Sequence, residues 1–242
     1  MQALIDGDLI AYRCAASAEG EEREIALLRT DKLMRQLLEE TQADSFKAFL
    51  TGTTNFRKEI DPLYKANRTQ PPPKWLQQCR EYLVTEWKAE VADNCEADDL
   101  LGINQTEETM IVSLDKDLLM IPGKHYRWGI SGTVNGKTWI KEAEFLEVTP
   151  DDGLRSYFVS TLVGDKSDNI IGVDGLGPVK AKRALEGEDT EQGMFDRCRS
   201  LYNDDCRFLR NLQLLWIWQE DNDIYTPERR GITLTEEEDI ND

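Results

Sequence analysis

The sequence has 242 residues, of which 40% are hydrophobic and 31% are charged. This length suits one α/β domain or a core with a small appended module, and the apolar content excludes a disordered chain. No apolar run approaches the roughly 20 residues that span a bilayer, and no basic region precedes an apolar stretch at the first residues. We therefore expect a soluble, unexported, cytoplasmic protein.

The chemistry open to this chain is limited by its cysteines and histidine. The five cysteines are scattered without a CxxC pair, which indicates reduced thiols. The single histidine, His125, makes paired-histidine sites, His–Cys zinc sites and Ser–His–Asp triads hard to assemble. The net charge of −18 argues against nucleic acid on average, but local basic patches can bind phosphate around an acidic centre. Carboxylates must carry most of the chemistry.

The first half of the chain predicts strands that alternate with helices, which is typical of a parallel α/β sheet. In chain order we predict a strand over Met1–Asp6, helices over Leu9–Ala16 and 24–41, a strand over Phe46–Leu50, a helix over Trp75–Trp87, an extended segment over Lys88–Ala92, a helix from Ala97 to Gly102 and a strand over Met110–Leu114. The apolar residues of the second helix that fall on one face are Ile25, Leu28, Leu33 and Leu37.

The second half of the chain predicts a different organisation. Residues 126–140 indicate a hairpin around Asn135-Gly136, the strongest short hairpin signal. After residue 150 the chain predicts mostly helices, with a glycine-rich interruption over residues 172–177. Trp216 and Trp218 lie in a strongly apolar stretch, which favours a helix packed in the core over a stacking surface for bases.

Acidic residues form four clusters, mostly at the ends of predicted strands, where open α/β sheets place their active sites. The clusters are Asp6 and Asp8; Glu96, Asp98 and Asp99; Asp115 and Asp117; and Asp165 and Asp168. Such hard oxygen ligands suit Mg²⁺ or Mn²⁺, and two ions about 4 Å apart can hydrolyse a phosphodiester. Taken singly, Asp98 and Asp99 could only cap a helix, and Asp115 and Asp117 could be solvated loop residues.

Two basic stretches are candidates for contact with nucleic acid. The first lies within residues 56–68 and supplies Arg57, Lys58, Tyr64, Lys65 and Arg68. The second combines a glycine-rich turn with the helix that follows it, and its candidate residues are Gly172, Gly175, Gly177, Lys180, Lys182 and Arg183. A solvated polar loop is the alternative interpretation of the first stretch.

The motifs LIDGD, YKANR, CEADDLLG, SLDKDLL and GDKSDNIIGVDGLGPVKAKRAL resemble, in this order, those of the 5′-nuclease or flap-endonuclease family. The match spans roughly residues 3–185, and the YKANR-type sequence is similar to phage 5′-3′ exonucleases. The resemblance implies a PIN-like α/β core over residues 1–150, with an arch region at about 56–87. It also implies a helical DNA-binding module over 151–232, with a helix–three-turn–helix at about 160–186, and leaves an acidic, solvated tail over 233–242.

The same resemblance implies roles for the clustered residues. Ligands of a first metal ion would be Asp6, Glu96, Asp98, Asp99 and Asp115, and ligands of a second would be Asp117, Asp165 and Asp168. Asp8 has no fixed counterpart in the family. Lys65 and Arg68 would stabilise transition-state charge, and Tyr64 would stack on a terminal base. The glycine-rich turn would hold duplex DNA, a function in which the family often uses a K⁺ ion.

One position departs from the family pattern. Relatives usually carry an aspartate after the second strand, where FLTGTTNFRKE has Thr51, Gly52 or Thr53, and Gly52 is the preferred match. The first metal site is then expected to lack one ligand. The sequence predicts a monomeric, metal-dependent 5′-3′ exonuclease or flap endonuclease acting on DNA or RNA–DNA, in a bacterial host cytoplasm if phage-encoded. The alternatives are a catalytically weakened DNA-structure-binding protein and a PIN-type ribonuclease.

Overall fold

The computed structural model describes residues 1–134 and 137–234, and the backbone alone of Val134. The strands are β1 (Gln2–Asp6), β2 (Ser45–Leu50), β3 (Glu90–Val91), β4 (Thr109–Val112), β5 (Gly123–Arg127), β6 (Ile130–Val134), β7 (Lys137–Lys141), β8 (Glu144–Val148), β9 (Gly164–Asp165) and β10 (Ile170–Ile171). The helices are α1 (Gly7–Ser17), α2 (Arg23–Thr41), α3 (Arg57–Ile60), α4 (Leu76–Trp87), α5 (Ala97–Asn104), α6 (Pro150–Val163), α7 (Pro178–Ala184), α8 (Glu191–Leu201) and α9 (Asp205–Leu215).

A six-stranded sheet with the order β3-β2-β1-β4-β5-β8 forms the centre of the fold. Its strands are parallel except for β8, which runs antiparallel to β5. The expected α/β class is therefore confirmed, as a mixed sheet dominated by parallel pairs. The strand that follows β1 in the chain, β2, lies on one side of it, and β3 lies beyond β2. The chain then returns to β4, which lies on the other side of β1. This reversal produces a crevice at the carboxyl ends of the strands, the usual ligand position in such sheets.

Apolar residues of β1 alternate between two cores because successive side chains of a strand point to opposite faces. Ala3 and Ile5 face the core that α1, α2 and α4 cover. Leu4 faces the core that also contains Tyr157 and Phe195 from the C-terminal helices. The C-terminal helices thus pack directly on one face of the sheet. Among the described residues, no helix is long and apolar enough to cross a membrane.

The predicted helix over 24–41 forms as α2, but its buried face differs from the predicted one. Leu28 is 49% exposed, and the helix instead buries a row that includes Thr30 and Met34. The Thr30 hydroxyl is satisfied inside the helix, since it donates to the Ala26 carbonyl oxygen at 2.9 Å. A polar residue can therefore occupy a core position that apolar periodicity alone does not assign to it.

Two other local predictions are corrected in part. Trp216 and Trp218 are buried as predicted, but α9 ends at Leu215, so both lie in the extended segment after the helix. β6 and β7 form the predicted antiparallel pair, whereas residues 126 and 127 belong to β5 of the main sheet. The turn residues Asn135 and Gly136, and the acidic tail from residue 235 onward, lie outside the described residues.

Candidate active site

A cleft of about 680 Å³ lies at the carboxyl ends of β1, β2 and β4. The N-terminal end of α5, the turn between β9 and β10, and part of the basic segment complete its walls. All predicted metal ligands except Asp99 line this cleft: Asp6, Glu96, Asp98, Asp115, Asp117, Asp165 and Asp168. The other predicted residues that line it are Asp8, Lys58, Lys65 and Arg68. Folding thus brings residues from all four acidic clusters to one site.

Asp6 joins the end of β1 to the start of α1, where it is the N-cap residue. Its Oδ1 accepts a hydrogen bond from the Leu9 N–H at 3.0 Å, and its Oδ2 accepts one from the Ser113 hydroxyl at 2.7 Å. Gly7 is needed beside it, because a Cβ there would lie 2.6 Å from the Phe49 carbonyl oxygen. Burial is the largest cause that raises the pKa of Asp6 from 3.8 to about 6.

Among the described carboxylates that line the cleft, that of Asp98 in the first turn of α5 has the fewest partners. Within residues 1–134 and 137–234, no hydrogen bond or ion pair reaches it. Burial, followed by the negative charges of Asp6, Asp115 and Glu96, raises its pKa well above the ordinary value. Burial and the charge of Asp115 likewise raise the pKa of Asp117 to about 6. Carboxylates in this arrangement repel one another, and a bound cation would relieve the repulsion.

The basic segment is attached to the turn between β9 and β10 through main-chain groups. The Lys65 N–H donates to the Asp168 carbonyl oxygen at 2.9 Å, and the Asn67 side chain donates to the Lys166 carbonyl oxygen at 2.6 Å. The Asn169 side chain donates back to the Leu63 carbonyl oxygen at 2.9 Å. Lys65 adopts a left-handed backbone conformation with φ of 59°, which non-glycine residues seldom adopt. These bonds fix the direction in which the Lys65 side chain leaves the backbone.

The side chains of this segment reach into the acidic cleft. Lys65 Nζ donates to Glu96 Oε1 and lies 3.6 Å from Asp168 Oδ2. The Arg68 guanidinium donates to Asp168 Oδ1. Burial acts to raise the pKa of Glu96, but Arg57 and Lys65 hold it below its ordinary value. Cations thus pair with the carboxylates on one wall of the cleft.

Tyr64 differs from its predicted role. It is only 4% exposed, and its hydroxyl lies 3.0 Å from both Glu96 Oε2 and Asp168 Oδ2. A ring buried in this way has no free face for a terminal base, so the stacking prediction is corrected. The aromatic ring available in the cleft is that of Tyr12, which is 53% exposed and which the sequence analysis missed.

Asp99 and Arg57 also differ from their predicted roles. Both are buried, and the Arg57 guanidinium holds the Asp99 carboxylate through two hydrogen bonds of 2.6 and 2.8 Å. Asp99 therefore lies outside the cleft, which corrects its prediction as a metal ligand. Arg57 is 2% exposed, which corrects its prediction as a DNA contact. Gly172 is corrected for a similar reason, since it is buried where a Cβ would meet the Leu162 carbonyl oxygen at 2.4 Å.

Gly52 has no space for any side chain, because a Cβ there would lie 2.1 Å from the Ala92 carbonyl oxygen. A carboxylate that reaches this corner of the cleft is that of Asp8, whose Oδ2 accepts a hydrogen bond from the Thr51 N–H at 2.8 Å. Asp8 Oδ1 pairs with Arg80 of α4, another cleft residue that the sequence analysis missed. An aspartate placed at position 52 would displace the β3 edge of the sheet before it could reach the cleft.

The described carboxylates of the cleft do not surround a single point as the ligands of a bound metal ion would. In residues 1–134 and 137–234, no three His, Cys, Asp or Glu side chains are grouped so as to hold a metal ion. The donor chemistry nonetheless fits a hard cation, since the unpartnered Asp98 adjoins other carboxylates that repel it. Mg²⁺ keeps several waters and needs few protein ligands, so the residues present fit such an ion.

A second cavity of about 690 Å³ adjoins the cleft and shares Lys116, Asp117 and Asp165 with it. Its walls come from α6 and α7, and they include the predicted DNA contact Lys182. The other predicted contacts on this part of the surface are exposed: Gly175, Gly177, Lys180 and Arg183. Gly175 has a φ of +72°, which favours glycine at the turn before α7.

The raised pKa of Asp6 predicts how stability depends on pH in the absence of divalent ions. Because the folded pKa lies above the unfolded one, its contribution is present below about pH 4 and is lost as pH rises through about 6. The shift of about two pKa units corresponds to about 3 kcal/mol. We expect the advantage of Asp6→Asn in free energy of unfolding, measured in EDTA, to grow from pH 4 to pH 7.

Asp221→Asn is the control for this measurement, because Asp221 is exposed and far along the chain from the cleft. Added Mg²⁺ at pH 7 is expected to raise the melting temperature of the wild type more than that of Asp6→Asn, because the ion offsets the repulsion that Asp6 meets. A constant difference between the two proteins across this pH range would contradict the assigned environment of Asp6.

The family model and the related proteins indicate the same family for this chain. The family model described as 5′-3′ exonuclease, N-terminal resolvase-like domain, matches residues 1–148. DNA polymerase I of Bacillus caldotenax is 31% identical over 212 residues, which are 75% of this chain and 23% of that protein. A 5′-3′ exonuclease of Mycoplasma pneumoniae is 31% identical over 223 residues, which are 79% of this chain and 74% of that protein. The chain thus spans less than a quarter of the polymerase.

Solved structures show the same fold. The 5′-exonuclease of bacteriophage T5 with bound zinc has a TM-score of 0.65 at 16% sequence identity, over 89% of both chains. The T5 D15 flap endonuclease in a complex with DNA and metal ions has a TM-score of 0.63 at 16% identity, over 88% of both chains. At this level of identity the similarity extends to the fold alone.

Proposed function

Because the chain belongs to the family of 5′-3′ exonucleases with an N-terminal resolvase-like domain, we propose that it hydrolyses phosphodiester bonds of DNA near free 5′ ends, with divalent metal ions. The observation that carries this proposal is the cleft at the carboxyl ends of the parallel strands. One wall has carboxylates from all four sequence clusters, and the facing segment contributes Lys65 and Arg68. Carboxylates alone would repel a phosphodiester, so both groups are needed.

The residues that would hold metal ions are grouped as the family resemblance implies. Asp6, Glu96, Asp98 and Asp115 would hold a first ion, Asp117, Asp165 and Asp168 would hold a second, and all seven line the cleft. Bound Mg²⁺ or Mn²⁺ would activate a water and stabilise the leaving oxygen. In the structure Lys65 pairs with Glu96, and Arg68 pairs with Asp168. Binding of a divalent metal ion by Glu96 and Asp168 would weaken or break these two ion pairs.

The protein's own cations act on the phosphate. Lys65 is held by its main chain at the edge of the cleft, and Arg68 lies three residues further along, where its N–H donates to the Lys65 carbonyl oxygen at 3.2 Å. Once released from the carboxylates, both reach the same region, where negative charge develops on the scissile phosphate. Tyr64 acts indirectly, because its buried hydroxyl orients Glu96 and Asp168. Tyr12 offers an exposed ring for a base beside the cleft.

The path of the duplex away from the cut follows the second cavity. This cavity leads from Asp117 and Asp165 to Lys182 on α7, and the exposed glycine-rich turn lies at the N-terminal end of that helix. We propose that residues 160–186 act as the helix–three-turn–helix, with backbone contacts to phosphates and a K⁺ ion at the turn. Such contacts read the backbone and shape of DNA, not its sequence.

Salt dependence tests this path. Lys182→Ala combined with Arg183→Ala should weaken duplex binding and make the slope of log affinity against log salt concentration shallower by about one to two units, because each lost phosphate contact removes about one. Lys32→Ala is the control, since Lys32 is an exposed cation of α2. Equal slopes for the double variant and the wild type would place the duplex elsewhere.

The function itself is tested by digestion of 5′-labelled flap, nicked and blunt duplexes and an RNA–DNA hybrid, with and without Mg²⁺ or Mn²⁺. We expect metal-dependent release of short 5′ products from DNA. Tight flap binding without turnover at any metal concentration would identify a DNA-structure-binding protein instead. Cleavage confined to single-stranded RNA would identify a ribonuclease. Sedimentation of the chain with and without DNA tests the expected monomer.

A further inference from the structure

A buried ion pair connects the candidate active site to the C-terminal part of the chain. The side chains of Arg57 and Asp99 are 3% and 0% exposed and are joined by the two hydrogen bonds described above. Paired charges of this kind cost desolvation, and apolar residues of similar volume often give equal stability. Their advantage is a fixed geometry, because a guanidinium binds a carboxylate in one plane.

The pair holds main-chain groups in the last turn of α9 and in the segment just after it. Arg57 Nε donates to the Leu214 carbonyl oxygen at 2.9 Å, and Arg57 Nη2 donates to the Trp216 carbonyl oxygen at 2.7 Å. Asp99 Oδ1 accepts a hydrogen bond from the Trp218 N–H at 3.1 Å. We call residues 214–218 the C-terminal clamp. Three main-chain groups of the clamp are therefore hydrogen-bonded to one ion pair.

The clamp also packs directly against α5 and α3. Gly102 of α5 lies so near the clamp that a Cβ there would be 2.2 Å from the Trp218 carbonyl oxygen. The Trp218 ring stacks on the Phe56 ring at a centroid distance of 4.5 Å. Any side chain at position 102 would push the clamp away from the helix. Trp218 of the clamp is thus in close contact both with Gly102 of α5 and with Phe56 before α3.

The other oxygen of Asp99 fixes the start of α5. Asp99 Oδ2 accepts a hydrogen bond from the Glu96 N–H at 2.8 Å, and the Asp99 N–H donates to the Glu96 carbonyl oxygen at 3.1 Å. Glu96 and Asp98 are the two residues through which α5 enters the cleft. A rotation of this helical turn would move both carboxylates together.

From these contacts we propose that Arg57 and Asp99 are positioning residues, which orient Glu96 and Asp98 by locking the first turn of α5 to the C-terminal clamp. This inference rests on the proposed nuclease function. It assigns residues 214–218 a part in the reaction although no residue of the clamp lines the cleft. A displacement of about 1 Å at a reacting group can lower a rate by about 100-fold.

The test compares Arg57→Lys and Asp99→Asn with Asp223→Asn. Asp223 is the matched control, because it is also buried and paired with an arginine, Arg230, and it binds the Trp216 indole N–H at 2.8 Å. It does not contact α5 through any hydrogen bond among the described residues. Melting temperature, single-turnover kcat, KM for a flap duplex and Mn²⁺ affinity by calorimetry are measured for all variants.

We expect kcat to fall by about 100-fold in Asp99→Asn and somewhat less in Arg57→Lys, with KM changed by less than about threefold and Mn²⁺ binding weakened. Asp223→Asn should lose a similar amount of melting temperature and keep kcat. If kcat follows melting temperature equally in all three, or if neither variant of the pair folds, the pair has a stability role and the inference is wrong. A wild type without metal-dependent cleavage would instead refute the proposed function.

Discussion

The Asp98→Asn variant is expected to lose cleavage and to melt at a higher temperature than the wild type. Asp98 has no hydrogen-bond or ion-pair partner among the described residues, and burial together with Asp6, Asp115 and Glu96 raises its pKa. Asparagine keeps the shape and removes the charge. Without divalent ions, the loss of repulsion should raise the melting temperature by about 2–4 °C, as expected for about 1 kcal/mol in a chain of this size. A side chain whose removal stabilises the fold is typical of a functional site.

Activity should change in the opposite direction. We expect the single-turnover rate to fall by at least about 100-fold, because under the proposed function the lost carboxylate is one that would bind a metal ion in the cleft. Asp221→Asn, at an exposed position outside the cleft, should change neither quantity. If Asp98→Asn lowers the melting temperature, Asp98 is a structural cap of α5. If it cleaves at the normal rate, Asp98 is not part of the reaction.

The sequence predicted which acidic clusters the fold brings together, because strand ends are easy to locate. Asp6 and Asp115 follow apolar runs that can only be buried strands, and parallel strands bring their carboxyl ends to one edge. Asp165 and Asp168 were predicted to share a face, and both line the cleft from the turn between two short strands. The three-residue spacing thus predicted that the two aspartates would lie close together, although the segment between them is a turn and not a helix.

The roles of individual side chains were harder to predict, because they depend on contacts between distant segments. Nothing local distinguishes Asp98 from Asp99, yet one faces the cleft and the other meets Arg57 and the main chain of Trp218. Arg57 looks like a surface cation until α9 and the clamp cover it. Gly52 looked like a lost ligand, whereas the Ala92 carbonyl oxygen leaves no room for a side chain there.

The second prediction with a large effect concerns Lys65. Its main chain is held in the left-handed region by the hydrogen bond from its N–H to Asp168, so its side chain is already directed at the cleft before substrate binds. Under the proposed function, Lys65→Ala removes a preorganised cation from the place where phosphate charge would develop. We expect the single-turnover rate to fall by about 100- to 1,000-fold, while the dissociation constant for DNA changes by only a few fold. Lys32→Ala on α2 should have no effect.

Lys65→Arg separates charge from geometry. A guanidinium is longer and planar, so from this backbone it would overshoot Glu96 and restore only part of the rate. Arg68→Ala should cost less than Lys65→Ala, because Arg68 is 54% exposed and its charge is screened by water. Both rates must be measured at saturating DNA, since weaker binding alone would otherwise imitate a loss of catalysis. If affinity falls and the rate at saturation does not, Lys65 holds the DNA in place, and the stabilisation of the transition state must come from elsewhere in the cleft.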